Sequence, residues 1–243
     1  MLGGCRSTTP GNCIIQKRFC QAYFLRILGN LFRCIRPDPA PGFLDSGIES
    51  HYNEPKKGGM ILKAWKHFKT ITRHRWLVRR GCFMVGLYWQ GLTHDLSKYT
   101  PTEFRVGVKY FQGNRSPNGA ERDDKGYSLA WMHHKGRNRH HYEYWTDLHP
   151  VTRRYDSVPM PRKYLAEMVM DRIAACKVYR GKAYDDGAAL DYLQNSIERE
   201  LLHDDTRRQL VFLLTMLKEK GEKDTFHYIK QNVLKDKPFP WEE

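Results

Sequence analysis

The sequence predicts an all-α fold, and three observations support this class. Apolar residues recur at helical spacing in several segments after Met60, and glycine or proline separates these segments. No segment after Met60 shows the apolar–polar alternation that is typical of a strand. We therefore predict a helical bundle over residues 60–234, a basic extension and linker over 1–59, and a tail over 235–243.

Residues 1–59 differ from the remaining chain in charge. No acidic residue precedes Asp38, and arginine and lysine are interleaved with apolar residues up to a proline- and glycine-rich linker. This pattern predicts an extension that is poorly structured or forms a single amphipathic helix, on a membrane surface or in a targeting peptide. An appended segment without a folded role is the interpretation we favour. A further hypothesis is that Met60 is the true start of the protein.

The composition narrows the class of protein. Forty-one Lys and Arg against 27 Asp and Glu give a formal net charge of +14, which favours nucleic acid or phosphorylated small molecules as partners. The mean hydropathy of −0.70 and the absence of a long apolar run exclude a membrane-spanning helix. The six cysteines have no CxxC spacing, so we expect a reducing, cytoplasmic location and neither a zinc ribbon nor a disulfide framework.

The periodicity places the helices in order. The first extends from Met60 to about Trp89, and Gly91 and Thr93 end or bend it just before His94. Its inward face carries His67, Ile71, His74, Val78, Val85 and Trp89. Further helices are predicted from Pro101 and over 127–134, 139–148, 162–180, 187–198, 205–220 and 224–234, with a loop over 113–126.

Histidine and aspartate are concentrated at these helices and the junctions between them. His94 and Asp95 lie at one junction, and two histidine pairs flank a short turn after residue 135. His74 and Asp171 project from largely apolar faces, where a carboxylate requires a metal ion, an imidazolium or an arginine from another helix. The alternative is a polar surface rich in histidine. The candidate metal ligands are His74, His94, Asp95, His133, His134, His140, His141 and Asp171.

The types of ligand restrict the metal. Imidazole mixed with carboxylate suits Fe, Mn, Zn, Co or Ni, whereas Ca and Mg prefer shells made of oxygen alone. There are more candidate ligands than one tetrahedral ion requires, so the sequence is compatible with one or two divalent ions.

The order of these residues resembles a known superfamily. His74, then His94-Asp95, then further histidines, then Asp171 resembles the HD-domain metal-dependent phosphohydrolases, and His94–Lys98 looks like their HD-[IL]-[GS]-K segment. The resemblance covers roughly residues 70–180. It departs from the pattern at Ser97, where glycine is common, and in the doubling of both histidine pairs.

This resemblance implies an HD-domain-like helical bundle, and it implies a role for each candidate residue of the site. His74, His94, Asp95 and Asp171 would be the core ligands, and one or two histidines of the two pairs would complete a second site. Asp95 would bridge the ions or orient the reacting water, which makes Asp95 and Lys98 the catalytic candidates. Lys98, Arg137 and Arg139 would bind phosphate.

The part from Met60 onward also resembles an uncharacterised domain family of bacteria and their phages. The residues that carry this resemblance are the segments 160–164 (MPRKY) and 171–175 (DRIAA), together with the His-Asp segment. It covers most of residues 60–234, and the family has no known activity.

We therefore predict a metal-dependent phosphohydrolase acting on a phosphorylated small molecule, with nucleotides as one candidate class. The alternative is a non-catalytic nucleic-acid-binding or interaction protein of the same fold, because arginine and lysine are interleaved with Trp76, Trp131 and Tyr142. An HNH-type nuclease is disfavoured, since its motif requires strands and wider spacing. The second His-Asp pair at His203 is excluded from the site, because Asp204 or Asp205 is most simply a helix N-cap. The oligomeric state is left open.

Overall fold

The computed structural model describes residues 57–196 and 201–242, and these residues confirm the all-α prediction. The predictions for residues 1–56 lie outside the described residues. None of the described helices combines the length and the apolar character needed to cross a membrane.

Eight α-helices occur within the described residues, with short 3-10 turns and one small hairpin between them. The α-helices are α1 (Lys57–Val85), α2 (Tyr88–Thr93), α3 (Pro101–Tyr110), α4 (Pro117–Lys125), α5 (Leu129–Lys135), α6 (Arg162–Arg180), α7 (Ala188–Gln194) and α8 (Asp204–Gln231). The 3-10 turns are Leu96–Tyr99, Tyr142–Tyr144, Gly181–Ala183 and Val233–Lys235, and the strands are β1 (Thr146–Leu148) and β2 (Tyr155–Ser157).

The main core lies between α1, α6, α7 and α8. Each of these helices buries an apolar stripe, because its apolar residues recur every three or four positions. The buried stripes include Val78, Cys82 and Val85 of α1, Leu165, Val169 and Ile173 of α6, Leu190 and Leu193 of α7, and Leu210, Leu213, Leu214 and Leu217 of α8. This packing fixes α6 against α1 and so sets the positions of the polar residues that both helices carry among their apolar ones.

A second group of helices, α3, α4 and α5, packs on the first half of α1. The closest approach is at Gly107 of α3, where a Cβ atom would lie 2.2 Å from His67 Nε2. Phe104 of α3 is fully buried and its ring lies 5.3 Å from that of His67. Glu121 of α4 is buried as well, and it accepts a hydrogen bond from Ser128 Oγ at 2.7 Å at the start of α5.

Two predicted boundaries are wrong for identifiable reasons. The first helix ends at Val85 because Gly86 adopts a positive φ of 92°, so Trp89 belongs to α2 and is 74% exposed instead of inward. Helix α4 occupies most of the predicted loop over 113–126.

The prediction of a helix over 139–148, and of no strand after Met60, is also wrong. The chain forms a 3-10 turn at Tyr142–Tyr144 and then the antiparallel pair β1–β2, in which Thr146 faces Ser157. Three-residue strands are too short to produce a recognisable alternating pattern, which explains why periodicity did not reveal them.

The C-terminal helices follow the prediction more closely. Helix α8 begins at Asp204. Its N-cap is His203, and not Asp204 or Asp205 as predicted, because His203 Nδ1 accepts a hydrogen bond from the Asp205 amide. The predicted stop at Gly221 is a kink with φ 76°, after which the helix continues to Gln231. Phe239, in the segment after the bundle, is buried with only 1% exposure.

We expect Gly107→Ala to destabilise the protein by about 1–3 kcal/mol, the range for overpacking a core. The added methyl group would overlap His67, since its position lies 2.2 Å from Nε2. Gly59→Ala is the matched control, because Gly59 is also helical and has nothing within 4 Å of a built Cβ. Urea unfolding at fixed pH measures both variants. A Gly107→Ala protein as stable as the wild type would contradict the close approach.

Stability should also depend on pH through His67. Burial lowers the pKa of His67 from 6.5 to about 4, and the charge of Lys98 adds to this effect. The unfolded chain takes up this proton near pH 6.5 and the folded chain only near pH 4, so the free energy of unfolding falls as the pH drops through that window. At about 1.36 kcal/mol per pH unit the loss is roughly 3 kcal/mol. Urea unfolding of His67→Leu should show a shallower slope over this window than wild type, and equal slopes would refute the assignment.

Candidate metal centre

Asp95 occupies the centre of the site, and the backbone explains how it reaches that position. His94 ends α2, and Asp95 adopts a left-handed conformation with φ 52° and ψ 27° before the 3-10 turn Leu96–Tyr99. Neighbouring side chains in a continuous helix diverge by about 100°. The left-handed residue breaks this divergence, so both His94 and Asp95 are buried, with 2% and 0% exposure. Aspartate tolerates this conformation better than most residues, although a cost remains.

The two carboxylate oxygens of Asp95 face different groups of side chains. Oδ2 lies 3.6 Å from His74 Nε2 and 3.4 Å from His94 Nε2, and Asp171 Oδ1 lies 2.9 Å from His74 Nε2. These four residues form the first grouping whose ligand atoms lie close enough to hold one metal ion.

Oδ1 of Asp95 faces the second grouping. It lies 3.2 Å from His134 Nε2 and 3.5 Å from His140 Nε2. His141 completes this grouping, and its ring centroid lies 4.2 Å from that of His140 and 4.8 Å from that of His134. Asp95 is therefore shared by two adjacent groupings, and each of them could hold an ion.

The donor atoms in these groupings have unsatisfied hydrogen-bonding capacity. The Nε2 atoms of five histidines and both carboxylate oxygens of Asp95 are buried and form no well-directed hydrogen bond among the described residues, although Lys98 Nζ lies 2.6 Å from Asp95 Oδ2 and Asp171 Oδ1 lies 2.9 Å from His74 Nε2. These histidines are His74, His94, His134, His140 and His141. Buried polar atoms without partners are rare in proteins because each one costs free energy. Several such atoms that converge on one carboxylate are what a metal site requires.

The opposite ring nitrogens of three of these histidines face carboxylates. Glu167 Oε1 lies 2.9 Å from His94 Nδ1 and 3.1 Å from His140 Nδ1, and Glu103 Oε2 lies 2.8 Å from His134 Nδ1. A carboxylate that accepts from Nδ1–H fixes the tautomer whose free lone pair is on Nε2. The glutamates thus aim three imidazoles at the centre.

A third grouping, of His94, His140 and Glu167, uses these same Nδ1 atoms. We assign it to hydrogen bonding instead of metal binding, because an ion there would leave the buried Nε2 atoms without partners. Glu167 is 5% exposed, so its charge also needs the two imidazole donors.

The charges in the site affect one another strongly. Burial opposes ionisation, but His94, Lys98 and His134 together lower the pKa of Asp95 well below its usual range. Burial likewise opposes charge on His94, yet Asp95, Asp171 and Glu167 raise its pKa well above the usual value. For His141, burial and the neighbouring His140 and His134 lower the pKa well below the usual value. In the metal-free protein, protonation therefore favours His94 over His141.

The structure brings together seven of the eight predicted ligands. His133 lies outside the groupings, since its Nδ1 is 2.7 Å from Glu103 Oε1 on the outer side of that carboxylate. Lys98 belongs to the site, with Nζ 2.6 Å from Asp95 Oδ2 and its side chain 27% exposed. Arg137 and Arg139 are exposed and bond to His133 O and Tyr164 Oη, away from the converging atoms.

Sequence reasoning missed the roles of three residues. Glu103 and Glu167 are not among the candidate ligands, yet they hold the far side of three histidine rings. Ser97 was taken as a departure from a motif, but its Oγ accepts a hydrogen bond from Asn138 Nδ2 at 2.9 Å and so links the 3-10 turn to the segment after α5. The sequence does carry a signal for the role of Glu167, because Glu167 and Asp171 lie four residues apart on one face of the same helix.

Comparison with known proteins shows the family of the chain but not its activity. A family model described as a family of unknown function (DUF5662) matches residues 63–216, and the chain therefore belongs to this family. This result confirms the resemblance to an uncharacterised domain family. No curated protein and no solved structure matches the chain significantly.

We expect the two glutamates to affect metal binding differently. Glu103→Gln should weaken only the grouping that contains His134, whereas Glu167→Gln should weaken both groupings, because Glu167 contacts His94 and His140. Loss of such a partner typically reduces metal affinity about 10–100-fold. Metal content by mass spectrometry after dialysis against a graded chelator measures the effect. Glu219→Gln, at an exposed position of α8, is the control, and glutamate variants that behave like it would contradict the assignment.

Proposed function

We propose that this member of the DUF5662 family is a metal-dependent phosphohydrolase that acts on a phosphorylated small molecule, with nucleotides as one candidate class. The ion would be a divalent transition metal, Fe, Mn, Zn, Co or Ni, and the shared position of Asp95 favours two ions. The resemblance of His94–Lys98 to the HD-domain phosphohydrolase segment supports the same proposal.

One observation carries the proposal. Five imidazole nitrogens and both oxygens of Asp95 converge in the interior without well-directed hydrogen bonds, in close charged contacts such as Lys98 Nζ to Asp95 Oδ2 at 2.6 Å, while carboxylates hold the far side of three of the rings. In a purely structural histidine cluster we would expect these buried atoms to form well-directed hydrogen bonds with one another. Mixed nitrogen and oxygen donors match the preference of transition metals better than that of Ca or Mg.

In this proposal the metal ion, Asp95 and Lys98 have different roles. A bound divalent ion supplies Lewis acidity and lowers the pKa of water at the site. Asp95 keeps its negative charge at all physiological pH values, because the surrounding cations lower its pKa. Lys98, Asp171 and His141 are the members of the site that reach solvent, the first two with side chains 27% and 17% exposed, so a substrate would enter beside them. Lys98 would neutralise phosphate oxygens there.

Phosphate recognition in this proposal rests mainly on Lys98. The guanidinium groups of Arg137 and Arg139 are bonded elsewhere and exposed, so the structure provides no support for their predicted role. One cation and the ions themselves are sufficient for a phosphomonoester, whose charge at neutral pH is at most −2.

We expect Asp95→Asn to lose both bound metal and phosphatase activity. The substitution keeps the volume but removes the charge shared by both groupings, and activity should fall about a thousandfold or more because the ion supplies several kcal/mol. Metal analysis and turnover of nucleoside monophosphates and p-nitrophenyl phosphate in Mn-supplemented buffer measure the two effects. Circular dichroism verifies folding.

Asp224→Asn is the matched control, because Asp224 is an exposed aspartate of α8 outside the site. It should retain metal and activity. Wild-type protein that binds no metal, or that binds metal and hydrolyses no phosphorylated compound, would overturn the proposed function.

A further inference from the structure

A groove of about 660 Å³ runs along the outer face of α1, separate from the candidate metal centre. Residues Gly59 to Arg73 of α1 form one wall, and Phe111, Gln112 and Gly113 after α3 form another, together with Val178 of α6. None of these residues belongs to the metal groupings, although Arg73 directly precedes His74.

Among the residues that the structure describes, four cations and no acidic residue line the groove. They are Lys63, Lys66, Lys69 and Arg73, which lie on one face of α1 because they are spaced three or four residues apart. Lys66, Lys69 and Arg73 are exposed and form no ion pair with any described residue, while Lys63 Nζ donates to Lys109 O at 2.5 Å. Like charges at this spacing repel one another and destabilise a helix. An anionic ligand would reduce this repulsion.

The dimensions of the row fit a polymer of phosphates. Ten residues of helix rise about 15 Å, and a nucleic acid strand presents a phosphate about every 3.4 Å along a duplex axis. A single phosphate group would engage only one or two of the cations. Phe111, half-buried at the wall, adds an aromatic surface, and grooves that combine cations with aromatic rings are typical of single-strand binding.

We infer that this groove binds single-stranded nucleic acid through its phosphate backbone. The concave wall at Phe111–Gly113 suits a chain laid along α1 better than a flat lipid surface. The site goes beyond the proposed hydrolysis and does not depend on it, because no groove residue contacts the converging donor atoms. The neighbouring Arg75 is not among the groove residues, because its guanidinium donates to His94 O and Leu92 O.

The test is fluorescence anisotropy of a labelled twelve-nucleotide oligothymidylate with the full-length protein, at several salt concentrations. EDTA in the buffer keeps the measurement independent of metal and turnover. Four phosphate contacts predict a slope of log K against log salt of about −2.8, since each contact to a single strand contributes about −0.7. Lys66→Gln/Lys69→Gln should reduce the slope to about −1.4 and weaken binding about tenfold or more at low salt.

Lys220→Gln/Lys223→Gln is the charge-matched control, because both lysines are exposed on α8. This control should retain the wild-type slope and affinity within about twofold. Equal weakening in both double variants, no detectable binding by wild type at low salt, or equally effective competition by polyglutamate would each overturn the inference. If the double variant does not fold, the single variant Lys66→Gln replaces it. Its expected slope of log K against log salt is about −2.1, and an unchanged slope would contradict the inference.

Discussion

The burial of the Asp95 carboxylate is the constraint on which this half of the bundle depends. An isolated carboxylate in a protein interior is very costly, so the fold must bring positive or donor groups to it from several directions. They arrive from α1, α2, the 3-10 turn, α5 and the segment after α5, as His74, His94, Lys98, His134 and His140 at 2.6–3.6 Å. Because these segments are distant in sequence, the site forms only when the helices have packed. Assembly of the bundle and assembly of the site are therefore one event.

The ring nitrogens of this centre can hold either protons or a metal ion. Without metal, carboxylates raise the pKa of His94 and His134, so protons occupy nitrogens that face Asp95. A metal ion requires the same nitrogens unprotonated, so protons and metal compete for the same positions. His140 and His141 differ, since burial and neighbouring histidines lower the pKa of both. Their pKa shifts favour the neutral ring, so in the second grouping His134 is the histidine whose raised pKa opposes metal binding.

The parts of the site that lie on long helices could be predicted from sequence, and the parts that lie between helices could not. His74 and Asp171 were correctly placed inward because helical periodicity is a local property of α1 and α6. The choice within 133–141 stayed open because the chain there leaves helical geometry, so periodicity gave no information about direction. The structure shows His133 turned to Glu103 while His134, His140 and His141 converge. The role of Glu103 depends on how α3 packs against α5, which no local pattern encodes.

The groove face of α1 differs from the exposed faces of α6 and α8 in how its charges are arranged. On α6 and α8, Lys177 pairs with Glu222 and Lys218 Nζ lies 3.5 Å from Asp191, while the exposed Lys220 and Lys223 lie outside the groove of α1. Among the described residues, no acidic side chain lines the groove face of α1 beside its cations, although other helices carry exposed acids. Solubility requires net charge but not its concentration in one concave place. An unpaired row in a groove with an aromatic wall is better explained by an anionic partner than by solvation alone.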